Sequence, residues 1–114
     1  MANNVTRNPI TITGSLPSFK TALAAAVPNA GINSSSYGTL QTLIVERIVW
    51  STPGNSNSLS IGDPNSGEVL ELLRSDSSGD DVIRDLTANP KIWDDFSVNS
   101  FPNSPNATLF IYTR

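Results

Sequence analysis

The chain has 114 residues, seven Lys or Arg against ten Asp or Glu for a formal charge of −3, and neither Cys nor His. That length fits one domain; without Cys there is no disulfide framework, thiolate metal site or cysteine nucleophile, and without His the commonest general base and transition-metal ligand are gone. Only 15% of residues are charged, polarity coming instead from 16 Ser, 12 Asn and 10 Thr, a neutral-polar composition that points away from an enzyme.

In chain order, residues 8–13 (NPITIT) alternate Ile10 and Ile12 with Thr11 and Thr13, the period of a half-buried strand. Residues 17–27 (PSFKTALAAAV) predict the one helix. Pro17 suits the first helical position, and Phe19, Leu23 and Val27 share a thin apolar face. Residues 28–38 are loop chemistry, and Tyr37 stands among Ser and Gly without local apolar support. Residues 39–51 predict a long strand in which Leu43, Val45, Arg47 and Val49 alternate. Leu40, Ile44, Ile48 and Trp50 break that alternation, which calls for a bulge or burial on both faces. Turn-rich 52–57 and 63–67 bracket a short strand around Leu59 and Ile61. Residues 68–74 (EVLELLR) are read as strand because they are too short for an isolated helix. Residues 82–86 fit either state, 91–101 hold one or two short strands, and 107–113 (ATLFIYT) form a terminal strand. The recurrence of turns predicts a mainly β chain, an antiparallel β-sandwich or jelly roll. Its expected parts are a β core at 39–114 and, at 1–38, an extended N-terminal arm, short helix and loop within a single domain.

The acidic balance excludes duplex nucleic acid as a partner, since Lys20, Lys91 and five scattered Arg make no basic stripe. No apolar run approaches the ~18–20 residues that span a bilayer, and residues 1–14 lack a basic-then-apolar leader. The expectation is folding in a cytoplasm with no membrane role. Asp63, Asp81 and Asp94 are the acids a hydrolase would need to converge. The doublets Asp80-Asp81 and Asp94-Asp95 point to opposite faces of a strand, so neither makes an acid–base pair from its own backbone. Residues 75–81 (SDSSGDD) carry oxygen ligands and a turn Gly for a calcium ion near Asp76 and Asp81, yet lack the closing Glu of an EF-hand; a plain turn uses the same residues. Trp93 and Tyr37 are the aromatics a carbohydrate-binding module would expose, but Trp50 at the end of an apolar strand and Trp93 between Ile92 and Asp94 are both expected in a core or interface. No Lys or His stands beside a Ser to activate it, and the three Asn-x-Ser/Thr sequons match chance.

The order of motifs carries a resemblance. IVERIVW at 44–50 is followed by LSIGD at 59–63 and SGEVL at 66–70, then IWDDFSV at 92–98 and TLFIY at 108–112. Over about 40–114 this resembles small structural proteins of tailed bacteriophages. The resemblance implies a β-sandwich or jelly-roll virion component on the capsid surface, a head decoration (cement) protein whose partners are the major capsid protein and copies of itself, as a trimer. No catalytic residue, cofactor or metal comes with it. On this view Ile10 and Ile12 would fill pockets on a neighbour, Phe19 and Leu23 would pack against a symmetry mate, and Tyr37 would anchor a partner. Removing residues 1–14 would then leave a folded domain unable to bind particles. A tail or head–tail joining protein and a carbohydrate-binding sandwich are the alternatives.

Overall fold

In the computed structural model, residues 3–5, 8–26, 43–98, 101 and 107–113 are described. Alternation sets the strands. Ile10 and Ile12 turn inward from β1 (Ile10–Ile12), and Leu109, Ile111 and Thr113 turn inward from β8 (Thr108–Thr113), which pairs with it in antiparallel register. Beside β8 lies β2 (Leu43–Ser51), flanked on its other side by β5 (Val82–Asp85) and, further along, β6 (Lys91–Trp93), completing a five-stranded sheet. A second sheet has the order β4-β3-β7, from Val69–Arg74, Ser58–Gly62 and Ser97–Val98. All the pairings are antiparallel. The chain is mainly β, two sheets and one short helix, as the turn spacing predicts.

The irregular alternation of 43–50 has its cause in a bulge. The register against β8 shifts between Val45 and Arg47, so one extra residue lies in β2. The shift changes the parity, and Leu43 and Val45 before it join Ile48 and Trp50 after it on the buried side. A second shift, between Ile61 and Gly62 against β4, does the same on the smaller sheet.

One cluster of buried side chains runs through the chain: Ile10, Ile12, Ile48, Trp50, Leu109 and Ile111 from the larger sheet, Leu59, Ile61, Leu73 and Val98 from the smaller. Phe19 and Leu23 of α1 (Phe19–Ala26) belong to it, Phe19 stacking on Phe96 at 5.2 Å between ring centroids. The N-terminal segment is therefore a structural strand and a lid of the core rather than an appendage. Asn8 extends its ladder with a side-chain amide that donates to the Thr113 carbonyl (2.7 Å) and accepts from the Thr113 N–H (3.0 Å).

The helix begins two residues later than Pro17 would place it. Ser18 is the N-cap: its hydroxyl accepts the Thr21 N–H at 3.2 Å, and its carbonyl accepts the Ala22 N–H at 3.0 Å. A hydroxyl satisfies an orphan N–H of the first turn, which Pro17 cannot do, so the chain enters the helix through Ser18. Val27 and the loop 28–38 lie outside the described residues.

Trp50 is fully buried, and its indole Nε1 has no hydrogen-bond partner among the described residues. A buried donor without an acceptor costs ~1–3 kcal/mol, which offsets part of what the ring contributes. Trp50→Phe is therefore expected to change stability by about 1 kcal/mol, well short of the ~3–5 kcal/mol typical of emptying an aromatic site. Urea unfolding checks this; a loss as large as that of an emptied site would contradict the orphaned donor.

Candidate functional site

The acids that a hydrolase would unite sit in separate turns. Asp63 closes the β3–β4 turn, its carboxylate accepting the Asn65 N–H at 2.9 Å. Asp81 precedes β5 and accepts the Thr52 N–H at 3.0 Å. Asp94, after β6, pairs with Lys20 of α1 at 3.1 Å. Among the described residues no three Asp or Glu side chains gather where a metal could be held.

The 75–81 loop spends its oxygens on itself and on the facing 52–57 segment. One Asp76 oxygen accepts the Ser78 hydroxyl (2.7 Å), the Ser78 N–H (3.0 Å) and the Gly79 N–H (3.1 Å). Gly79 has φ +74°, and a Cβ there would come 2.5 Å from Asn55 Oδ1, so this loop closes tightly on the β2–β3 loop. Ser75 is buried between the two, donating to the Gly54 carbonyl at 2.7 Å and accepting the Asn57 N–H at 2.8 Å. This is the plain-turn use of those residues.

The Ser78 hydroxyl, helped by the N–H groups of Ser78, Asp80 and Gly79, holds the Asp76 carboxyl below its ordinary pKa despite some desolvation. Asp85 is lowered in the same way by the Thr87 hydroxyl and N–H, with Arg47 adding to it. A lowered folded-state pKa gives stability that is complete above the unfolded pKa and lost as pH falls through the folded one. Asp76→Asn and Asp85→Asn are thus expected to lower the urea midpoint slightly at neutral pH. They should also flatten its decline below about pH 4. An acid limb as steep as that of the unmodified chain would contradict the assignment.

The residues expected to meet a partner are placed differently. Ile10, Ile12, Phe19 and Leu23 are all buried in the chain's own core. The β1 strand they were to lend a neighbour is already paired with β8, and the helix face already lies on Phe96. Tyr37 lies outside the described residues. Trp93 is buried against Phe96, with ring centroids 5.6 Å apart, and so presents no stacking platform for a sugar.

What faces outward is the side of the larger sheet turned away from the core. The registers put Ile83, Val49, Phe110 and Thr11 in one row across β5, β2, β8 and β1. Ile44 and Ile92 form a second cross-strand pair on β2 and β6. Ile83 is 54% exposed and Ile92 67%, the rest of these half-buried. Arg47 and Asp85 oppose each other in register on this face, and the Arg47 guanidinium lies 5.7 Å from the centre of the Tyr112 ring. The Arg47 charge offsets that of Asp85, Glu46 adds a carboxylate beside Ile44, and the row through Ile83, Val49 and Phe110 is apolar. Ile83 and Ile92 escape a sequence reading because Val82-Ile83 and Ile92-Trp93 are apolar doublets, in which periodicity cannot say which residue turns inward.

No helix among the described residues is long and apolar enough to cross a membrane. Compared with known proteins, the chain matches no family model, no curated protein and no solved structure.

Proposed function

We propose that this chain is a non-enzymatic structural subunit of a protein shell, the decoration subunit of a virion, bound to the major capsid protein and to copies of itself as a trimer. The virion assignment rests on the order of motifs between residues 44 and 112. The mode of action rests on one observation, the apolar row of Ile83, Val49 and Phe110 across the outer face of the larger sheet, with Ile83 and Ile92 standing out from it. Contact surfaces between proteins exclude charge from their centres and gather apolar side chains there. That face, rather than the N-terminal segment, is the surface of attachment, because β1 is consumed inside the fold.

Ile83→Lys with Ile92→Lys tests this, since both side chains are exposed and their loss leaves the core intact. Sedimentation of the unmodified chain is expected to give an oligomer that the double variant dissociates at an unchanged unfolding midpoint. The unmodified chain should also be recovered from purified particles at a stoichiometry that follows the shell lattice, which a tail ring would not match. A monomer at every concentration, with a mass indifferent to the two lysines, would contradict the reading.

A further inference from the structure

The two lateral sides of the sandwich are closed by different means. On one side the chain covers its own edges with backbone: Asn4 bridges to Thr11 of β1 through N–H···O bonds of 2.7 and 2.9 Å, and Leu16 bridges to Val98 of β7 through two of 2.7 Å. On the other side the larger sheet ends at β5 and β6 and the smaller at β4. There Arg84 of β5 spans the gap between the sheets. Its Nε donates to Glu71 Oε1 at 3.0 Å and its Nη2 to the Leu72 carbonyl oxygen at 3.1 Å, both on β4.

Arg84 stands opposite fully buried Ile48, so its position belongs to the inner face of the sheet, and only its place at the edge lets the guanidinium reach solvent. Lys91 stands likewise opposite buried Val45 on β6. Charged side chains on the inner face of edge strands block the approach of another strand, because pairing would carry the charge into a core. The need is acute on this side. Val69 and Leu72 of β4, 58% and 40% exposed, join Ile83 and Ile92 as the large exposed apolar residues among those described, and all four lie on these three strands.

We propose that Arg84 is a guard that keeps the β4 edge from pairing with a second copy of this chain. In a purified solution the strand that can reach this edge is that of another copy. The Leu72 carbonyl that Arg84 occupies is a group such a strand would need, since alternate residues of an edge strand direct their N–H and C=O away from the sheet. The planar guanidinium fills the Glu71 carboxylate and the Leu72 carbonyl at once, which a Lys ammonium on its flexible stem does not do. This inference is independent of the functional reading, whose surface is the outer face of the larger sheet.

The test is sedimentation velocity over a range of concentrations, with far-UV circular dichroism to establish folding. Arg84→Ala is expected to shift the mass to about twice that of the unmodified chain, as two-fold pairing requires, and Arg84→Ala with Leu72→Lys to return it. A folded Arg84→Ala protein of unchanged mass at every concentration would overturn the proposal, as would an association that Leu72→Lys leaves in place. A purely structural ion pair would lower the unfolding midpoint and leave the mass alone. Should Arg84→Ala fail to fold, Glu71→Ala decides: it takes away the carboxylate that holds the guanidinium and leaves it the Leu72 carbonyl alone, and its mass must rise with concentration for the guard to stand.

Discussion

Replacing Ile10 and Ile12 together by Ala is expected to abolish cooperative folding, and so is deleting residues 1–14. Both side chains are fully buried between the sheets. Each Ile→Ala change at such a site costs ~2–5 kcal/mol, from lost transfer free energy and from the cavity left behind. A domain of this size has only about 5–15 kcal/mol of total stability, so the pair approaches or exceeds the whole. Deletion adds the loss of the β1–β8 ladder and of the Asn8 amide that continues it at Thr113, and it bares the β8 edge. Circular dichroism through a urea titration checks this. A truncated chain that unfolds in one transition near the original midpoint would show that the N-terminal segment is detachable.

The second large effect is expected at Asp95, where neighbours in sequence should behave in opposite ways. Asp95 is buried, and its two oxygens accept the Ser18 hydroxyl at 2.8 Å, the Lys20 N–H at 3.0 Å and the Phe96 N–H at 2.8 Å. It therefore caps α1 from the β6–β7 connection, satisfying the second helical N–H while Ser18 satisfies the third. Asp95→Ala leaves two backbone donors without an acceptor and removes a carboxylate from a helix N-terminus, an expected loss of about 3 kcal/mol. Asp94 pairs with Lys20 in the open, the two side chains 62% and 42% exposed. Asp94→Ala is expected to cost no more than about 1 kcal/mol. Equal losses at the two positions, measured by urea unfolding, would contradict the capping role.

Most of the sheet was legible from alternation. Ile10 and Ile12, Leu59 and Ile61, and Leu109 and Ile111 occur every second residue, and each pair turns inward as that period requires. Strand 69–74 was legible for a different reason, the turns that bracket it. The disorderly 43–50 segment announced a departure without locating it, because a bulge is fixed by the register of a neighbour more than sixty residues away, here β8. The role of the N-terminus was not legible at all. Two Ile separated by a Thr read identically on a strand offered to another molecule and on one paired inside its own, and only the β8 partner distinguishes them.

Side-chain function was harder to see than the fold. Asp95 forms part of an acidic doublet that reads as a solvated loop; the groups it serves, Ser18 and Lys20, lie at the other end of the chain. Trp93, set between Ile92 and Asp94, reads as core or interface, and it is buried; what the sequence does not give is its partners, Phe96 and, across the β2–β6 pair, Leu43. Arg84 lies among Val82, Ile83 and Asp85, where charge and apolarity alternate in no single phase; its partners on β4 are settled by how the two sheets meet. The composition was informative in another sense. A chain poor in charge leaves few groups to interrupt a neutral face, and that face emerges when the registers align Ile83, Val49 and Phe110.

Native-state hydrogen exchange of the backbone amides tests the whole account most directly. If the two sheets share one core with β1 built into it, the N–H of Ile10 and Ile12, which face β8, exchange as slowly as that of Phe110, which faces β2, all through global unfolding. Exchange at Ile10 and Ile12 as fast as in an open loop, beside a protected β8, would return the N-terminal segment to the status of a free arm and withdraw the outer sheet face as the surface of attachment.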